Sequence, residues 1–598
     1  MTRLLPWMLL VGALAFGSPI GLEPRPGPHD VVDILIDADT HEGRLVPIWD
    51  EVNLWKLHMI FGVQHTTEHP RHWLRHALPW ARYGRVVAAL GGNHTPAIAP
   101  ACDHGEATDV HPYSGTGECG SDGAPGPAAR NELARRVDGQ LRVDYAPFRL
   151  AVGRLLDSGL LPHLNLSAAP APFTAPATDF AHYHWNAAPI RDLAGWRTFV
   201  AGAFRAVDDL DPAGWRISIV NEANCLTLVG WEQHLEHVGY AGSPAHYART
   251  FAETAAVVRA AAPRARLHAG NYVTSATFPG EDNLSEYLVA LRAALDDTSG
   301  IGWDNLDAIS LSLYETPDTM VYEFPSVRLA RARAALTTAG LAPLPFKIDE
   351  LGLHPTIGTA FETRFGTQID ASLWAASWHA EALHTLIAVG DVVSVSPWLS
   401  RLLGVAADGR RRPYPTARVY ELFGTLAGQL RPVDDADGLR FEETGTDTGV
   451  PRLRVIGSQP CPPDAPRLHP ERAMSLSALA SETAEGVRAL IVHHRNRPSS
   501  DRDQARRRHA RRIQIRVTGL DPGAYRVRRL AVGGRGGIAW ADGSPIAPRW
   551  HDAGCHVTET GDLALGAEEW IEANTVWLVD AHRALNCAPA APALGAQD

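Results

Sequence analysis

The sequence predicts an α/β fold: a (β/α)8 TIM barrel carrying an accessory antiparallel β-sandwich. Two observations predict it. Between about residues 54 and 430, eight short apolar runs alternate with amphipathic segments. From about 431 to 583 the rhythm changes to short β-runs separated by turn residues. Strands alternating with helices make a parallel sheet, and eight of them close a barrel. Strands alternating with turns make an antiparallel sandwich. A chain of 598 residues also exceeds one ordinary core. The alternative fold, an open doubly wound sheet, wants a Gly-rich phosphate turn after its first strand, and "GVQHTTE" is not one.

The elements follow in order. "MTRLLPWMLLVGALAFGSPIGLEPRPGP" has a basic start, an apolar run from Leu4 to Phe16, then small residues and prolines. That pattern predicts a signal peptide over 1–22 and a secreted or periplasmic protein. The run is short for a spanning helix, so no integral membrane domain is expected, with an uncleaved anchor as the alternative. "VVDILIDAD" (31–39) reads as a strand, and residues 31–53 are assigned with 431–583 to the sandwich. The barrel strands are expected at "LHMIFGV" (57–63), "YGRVVAAL" (83–90), "LPHLNLSAAP" (161–170), "WRISIVNEAN" (215–224), "LHAGNY" (267–272), "LDAISLSLYE" (306–315), "FKIDELG" (346–352) and "DVVSVSPWLS" (391–400).

Between them, "DYAPFRLAVGRLLDSG" places Phe148, Val152, Leu155 and Leu156 on one helical face, with Asp144 as cap and Gly159 at the stop. Ser243-Pro244 opens a second helix as cap and first-turn proline. A third presents Trp374, Trp378 and Leu386. The sandwich runs are "LRVIG", "VRALIVHH", "RRIQIRVTGL", "AYRVRRLAV" and "NTVWLVD". Residues 584–598 read as a disordered tail.

Apolar residues at 45% and charged residues at 20% describe a soluble globular chain. A formal charge of −12 argues against a nucleic-acid partner. Six cysteines suit an exported protein. Cys102 and Cys119 are expected to bridge, Cys225 is left over, and pairing among Cys461, Cys555 and Cys587 stays open. Sequons begin at Asn93, Asn165 and Asn283.

Active sites of such barrels lie where the strands end at the C-terminal face. Reading those ends together gives Asn221-Glu222 after the fourth strand, Asp349-Glu350 at the seventh, Tyr314 at the sixth, Trp398 at the eighth and Arg85 on the second. Two carboxylic acids would thus face one pocket with an aromatic floor. Glycoside hydrolysis requires such a pair: one acid protonates the leaving oxygen, the other stabilises or attacks the oxocarbenium-like carbon. At a separation of about 5–5.5 Å the reaction retains configuration. Their mutual field raises the pKa of one acid.

These residues resemble the retaining glycosidases of clan A. The block "VDYAPFRLAVGRLLDSGLLPHLNLSAAP", the Asp-Glu of "PFKIDELG", the hairpin "LDPGAYRVRRLAVGGRGGIAW" and the start "VVDILIDAD…PIWDEVN" are similar to glycoside hydrolase family 39, the β-xylosidases and α-L-iduronidases. The resemblance implies Glu222 as acid/base, Glu350 as nucleophile and Asn221 on the sugar 2-hydroxyl. Tyr314 and Arg85 would support Glu350, Trp398 would floor the subsite, and Asp349 is a weaker ligand. It implies an oligo- or polysaccharide substrate and no cofactor or metal. Exo-action on β-xylosides is the first expectation. The alternatives are an α-L-iduronidase-like or exopolysaccharide endoglycosidase activity, or a non-catalytic carbohydrate-binding protein. The chain departs from the family at Ala223, where proline is usual, at Val87, where histidine is usual, and at Ser312, where histidine often precedes the tyrosine. A long insertion between Gly91 and Gln140 would rim the pocket.

Other features read as ordinary surface. "WEQHLEH" (231–237) spaces His234 and His237 near Glu232 and Glu236, too few anchored ligands for a metal. The basic run 502–512 reads as a solvated loop, with an anionic polysaccharide as the alternative partner. "GGRGG" (533–537) lacks the Lys-Ser/Thr of a P-loop and reads as a hairpin turn.

Overall fold

The computed structural model describes residues 31–40, 43–55, 77–87, 89–90, 133–166, 169–174, 189–224, 228–229, 235–236, 240, 242–274, 283–297, 301–315, 325–353, 369–405, 411–431, 433–434, 439–447, 450–457, 473–495, 510–533, 540–541, 544–545, 550–565 and 569–584. Eight parallel strands form its central sheet in sequence order. They are β1 (Glu51–Trp55), β2 (Tyr83–Val86), β3 (Leu161–Asn165), β4 (Arg216–Ser218), β5 (Arg266–Val273), β6 (Ala308–Glu315), β7 (Phe346–Leu353) and β8 (Val392–Pro397). The sheet closes on itself. Asn53 of β1 bridges Trp398 in parallel, and the Val395 N–H donates to the Ile48 carbonyl at 2.6 Å.

One strand lies elsewhere than expected. The first barrel strand is Glu51–Trp55, which begins in the "PIWDEVN" stretch likened to the family's first barrel strand, whereas the 57–63 run lies outside the described residues. Residues 51–53 therefore belong to the barrel, and a boundary at 54 cuts through β1. Residues 1–22 and 585–598 also lie outside the described residues.

Helix ends follow local chemistry. Asp144 Oδ1 accepts from the Ala146 N–H at 2.9 Å as the Ala146–Asp157 helix begins, and Gly159 turns the chain after it at φ +78°. Ser243 caps Pro244–Ala261 by accepting from His246 N–H at 3.2 Å. The Leu373–Val389 helix is more than amphipathic: every residue from Leu373 to Leu386 is buried. The reason is its position between the barrel and the sandwich. Trp374 Nε1 donates to the Arg495 carbonyl at 2.8 Å, and Ser477 Oγ donates to Glu381 Oε2 at 2.8 Å. A helix hydrophobic all round is a buried helix.

The accessory domain packs two sheets over a core that includes Ile34, Leu476, Ile491, Val517 and Val579. The larger sheet runs through Gln429–Arg431, Ala473–Thr483, Gly486–Arg495, Thr575–Arg583, Gly523–Val532 and His551–Thr558. Its described ladders are antiparallel. In the smaller sheet Val31–Asp37 joins the sandwich, but it runs parallel to Arg511–Thr518.

Candidate active site

Branched apolar side chains usually fill such a barrel. Here charged and polar ones occupy much of it. Arg216 on β4 lies over the Tyr83 ring at 3.6 Å and pairs with Asp50 at 2.9 Å and Glu51 at 2.6 Å. Glu51 Oε1 also meets His163 Nδ1 at 2.8 Å and Lys347 Nζ at 2.7 Å. Lys347 in turn pairs with Asp349. Burial opposes the Glu51 charge, yet Lys347, His163 and Arg216 outweigh it and hold its pKa well below the carboxylate range. Burial opposes Asp349 as well, and Lys347 and Arg85 lower its pKa against it. Burial and Lys347 lower His163, favouring the neutral ring. Ligand atoms of Glu51, His163 and Asp349 converge within 4.8 Å, a set able to hold a metal. The Lys347 ammonium bridges two of the three and already supplies a cation.

Above this layer the strand ends converge. Arg85 donates through Nη1 to Glu350 Oε1 at 2.8 Å and through Nη2 to Asn221 Oδ1 at 2.6 Å. Its Nε lies 3.4 Å from Asp349 Oδ2. Tyr314 Oη donates to Glu350 Oε2 and accepts from Trp398 Nε1. Asn271 Nδ2 donates to Asn221 Oδ1 at 2.7 Å and to Glu350 Oε1 at 3.3 Å. Ser312 Oγ donates to Asn271 Oδ1 at 2.9 Å.

Glu222 follows β4 at φ +47°, a left-handed backbone uncommon for a glutamate. Asn224 anchors this turn. Its Nδ2 donates to the Val273 carbonyl at 3.0 Å, and its Oδ1 accepts from the Val273 N–H at 2.9 Å. Strained backbone held by neighbouring structure marks functional positions. The two amides of "NEAN" thus have separate duties: Asn221 joins the Arg85 cluster, and Asn224 ties the loop to β5.

The carboxylic acids differ in environment. Burial, then the Glu350 charge, pushes the Glu222 pKa up to about 8, with the Ser312 hydroxyl and then Arg85 opposing. Burial raises Glu350 too, but Arg85 and the Tyr314 hydroxyl oppose that rise with a direct charge and hydrogen bonds. The arrangement therefore places the proton on Glu222 and the negative charge on Glu350 near neutral pH. Burial and the Glu350 charge hold Tyr314 well above its usual pKa, so it remains a donor.

Six residues read from the strand ends meet here: Arg85, Asn221, Glu222, Tyr314, Glu350 and Trp398. Asp349 lies fully buried in the ionic layer between Lys347 and Arg85, away from the mouth. Asn271 was missed as a site residue, although a polar residue near the end of β5 satisfies the strand-end rule used for the others. Asn165 is fully buried, its Nδ2 donating to Ser218 Oγ at 3.0 Å, so this asparagine is closed to a glycan. Cys102, Cys119, Cys225, Cys461 and Cys587 lie outside the described residues, as do His234, His237 and most of the 502–512 run. Among the described residues no helix is long and apolar enough to cross a membrane.

No family model and no curated protein matches the chain. Solved structures do match. The GH39 enzyme from Xanthomonas axonopodis pv. citri superposes with a TM-score of 0.54 at 14% identity, covering 95% of this chain and 100% of that one. A monomeric β-xylosidase from Caulobacter crescentus CB15 gives 0.54 at 14%, covering 92% and 100%. A bacterial orthologue of human α-L-iduronidase gives 0.57 at 13%, covering 94% and 85%. At these identities the likeness shows a shared fold, running through barrel and sandwich alike.

Proposed function

We propose that this chain is a secreted or periplasmic retaining glycoside hydrolase, exo-acting on β-xylosides. One observation carries the reading: Glu222 and Glu350 share the barrel mouth, with Glu222 pushed up to about 8 while Arg85 and Tyr314 engage Glu350. A protonated acid beside a hydrogen-bonded carboxylate is the equipment of double displacement. The names of the structural neighbours, a GH39 enzyme and a β-xylosidase among them, support the same class. The apolar N-terminal run supports export.

In the first step Glu222 gives its proton to the glycosidic oxygen as the bond to the anomeric carbon breaks. A Glu350 oxygen bonds that carbon, forming a glycosyl-enzyme. Water then attacks the same carbon, Glu222 takes its proton, and Glu350 is released. Asn221 addresses the sugar 2-hydroxyl, where a hydrogen bond strengthens in the transition state. Trp398 floors the subsite and fixes Tyr314.

A specific observation favours a neutral sugar over a uronic acid. A sugar carboxylate needs a cationic partner. The described cations at this end of the barrel are engaged: Arg85 with Glu350 and Asp349, Arg401 with Asp370 at 3.0 Å.

The test is hydrolysis of aryl β-xyloside, α-L-iduronide, β-glucoside, β-galactoside and α-L-arabinoside, with Glu222→Gln and Glu350→Gln beside the wild type. We expect xylose release, lost in both variants, with the β-anomer formed first by NMR. Silence of the folded protein across the panel, or an inverted product, overturns the reading.

A further inference from the structure

We propose that Arg401 and Asp370 form a strut that holds Trp398 and Tyr314 against Glu350, which makes both ions positioning residues for the nucleophile. This rests on the glycosidase reading for its catalytic meaning; the strut itself is a matter of contacts.

The contacts run outward from Glu350. Tyr314 Oη donates to Glu350 Oε2, and Trp398 Nε1 donates to Tyr314 Oη. The two rings are tilted, with centroids 6.4 Å apart. Trp398 stands between β8 and a single helical turn, Leu399–Leu402, for which it makes no side-chain capping bond. Four residues do not hold a helical turn by themselves. Leu399 and Leu402 anchor this one in the barrel core. Arg401 anchors it a second time. Its N–H donates to the Trp398 carbonyl at 3.0 Å, and its Nη1 lies 3.1 and 3.0 Å from the two Asp370 oxygens. Asp370 sits in the turn Ile369–Ala371, between β7 and the Leu373–Val389 helix. The pair therefore ties the chain after β8 to the chain after β7, the strand that carries Glu350. Its side chains are only 14% and 16% exposed, so solvent and salt screen it less than a surface bridge.

Gly352 brings the strut beside the tyrosine. A Cβ at this position on β7 would meet Tyr314 Cε1 at 3.6 Å and Arg401 Cδ and Nε at 3.7 Å. The arginine stem and the tyrosine ring thus share the space that a side chain would take. At this range the Arg401 charge opposes the rise in the Tyr314 pKa, which makes the hydroxyl a stronger donor to Glu350. The other groups acting on Glu350 are Arg85 from β2 and Asp349 beside it on β7, with Glu222 facing it from the end of β4. Changing the strut leaves all three in place. Arg401 also acts on His379, whose ring burial keeps neutral with a pKa pushed down to about 3.

The experiment compares wild type with Asp370→Asn and Arg401→Met, alone and in a Tyr314→Phe background. On an aryl β-xyloside either single change should lower kcat/KM by about tenfold and move its acidic limb up by about half to one pH unit, the effect of a weakened hydrogen bond to the Glu350 carboxylate. Asp370→Asn separates position from charge. It removes an anion and keeps the Arg401 cation, so charge alone would move the limb down. In the Tyr314→Phe background neither change should move the limb further. Asp370→Asn is nearly isosteric and carries the test alone where Arg401→Met does not fold. A second readout needs no turnover: fluorine NMR of protein labelled with 5-fluorotryptophan, the Trp398 resonance assigned by its absence in Trp398→Phe. That resonance should shift or broaden in Asp370→Asn. A limb that falls or stays in Asp370→Asn, a limb that moves equally without the tyrosine hydroxyl, or an unchanged Trp398 resonance, in variants with wild-type circular dichroism, overturns the proposal. A wild type silent on every glycoside sinks the glycosidase reading, while the fluorine resonance still decides whether the strut holds Trp398.

Discussion

Arg85 and Glu350, on the second and seventh strands, lie buried and 2.8 Å apart, joined by a charge-assisted hydrogen bond. The same guanidinium reaches Asn221 and Asp349. One side chain thus orients the nucleophile candidate, the amide beside the acid and the ionic layer below. A planar fork can do this where a point charge cannot.

Removing that fork leaves Glu350 buried without its cation. Arg85→Met should lower kcat/KM on an aryl glycoside by about 10²-fold or more. It should also move the acidic limb of the pH profile upward, since Arg85 favours the ionised form of Glu350. Arg85→Lys keeps charge but loses the fork, so it should recover the limb better than the rate. An unmoved acidic limb in Arg85→Met would mean that Arg85 does not set the charge of Glu350.

Glu222 as acid predicts a dependence on the leaving group. Glu222→Gln should slow an alkyl or unactivated aryl glycoside by about 10²–10⁴-fold. A dinitrophenyl glycoside, whose departing oxygen needs no proton, should lose far less in its first step. The wild-type basic limb should lie near 8, the value to which burial and Glu350 push this acid, and vanish in the variant. Pre-steady-state release of dinitrophenol separates the two steps. Equal losses for both leaving groups would remove Glu222 from the acid role.

Much of this site was legible because barrel strands end at one face. Glu222 and Glu350 are remote in sequence, yet the strand-end rule places them together. The rest was hidden by the polar interior. "LHMIFGV" is more apolar than "EVNLW", so hydrophobicity alone places the first strand too late, whereas the likeness of "PIWDEVN" to the family's first barrel strand places it where the structure does. Glu51 is fully buried against His163, Arg216 and Lys347, and Asn53 is fully buried where its strand bridges Trp398. Asn271 lies inside the expected strand "LHAGNY", and its partners Asn221 and Glu350 are 50 and 79 positions away, so no local pattern marks it. Lys347 meets Glu51 across 296 positions of sequence, beyond any local pattern. Ser312 stands out in the sequence only as a missing histidine, since its partner Asn271 comes from another strand.

The same acid carries a stability cost. A carboxyl whose folded pKa is raised contributes stability below its unfolded pKa and loses it as pH rises through the folded value. For Glu222 that window runs from the ordinary 4.5 to about 8. Glu222→Gln should therefore melt at a higher temperature than wild type, with the gain growing between those pH values and levelling above. A shift on the order of a few degrees is expected at the upper end. Thermal melts of both proteins across the range decide it. A gain independent of pH would assign the effect to packing instead.

Lys347 gives the opposite sign. Its ammonium bridges Glu51 and Asp349, whose pKa values lie below the usual carboxylate range. Groups with lowered pKa contribute stability above their unfolded values near 4, and lose it as pH falls through the folded ones. Lys347→Met leaves two buried carboxylates sharing Arg85, Arg216 and His163. The expected loss is about 3–5 kcal/mol at pH 7, because breaking a buried pair strands a charge. Below about pH 4 the loss should shrink, since the stranded carboxylates then take up protons. Denaturant titrations of the barrel at the two pH values measure both numbers. Replacing Glu51 by Gln in the same background should recover part of the loss at pH 7, as one stranded charge is removed. No recovery would mean that Lys347 acts by filling space rather than by joining the two carboxylates under the site.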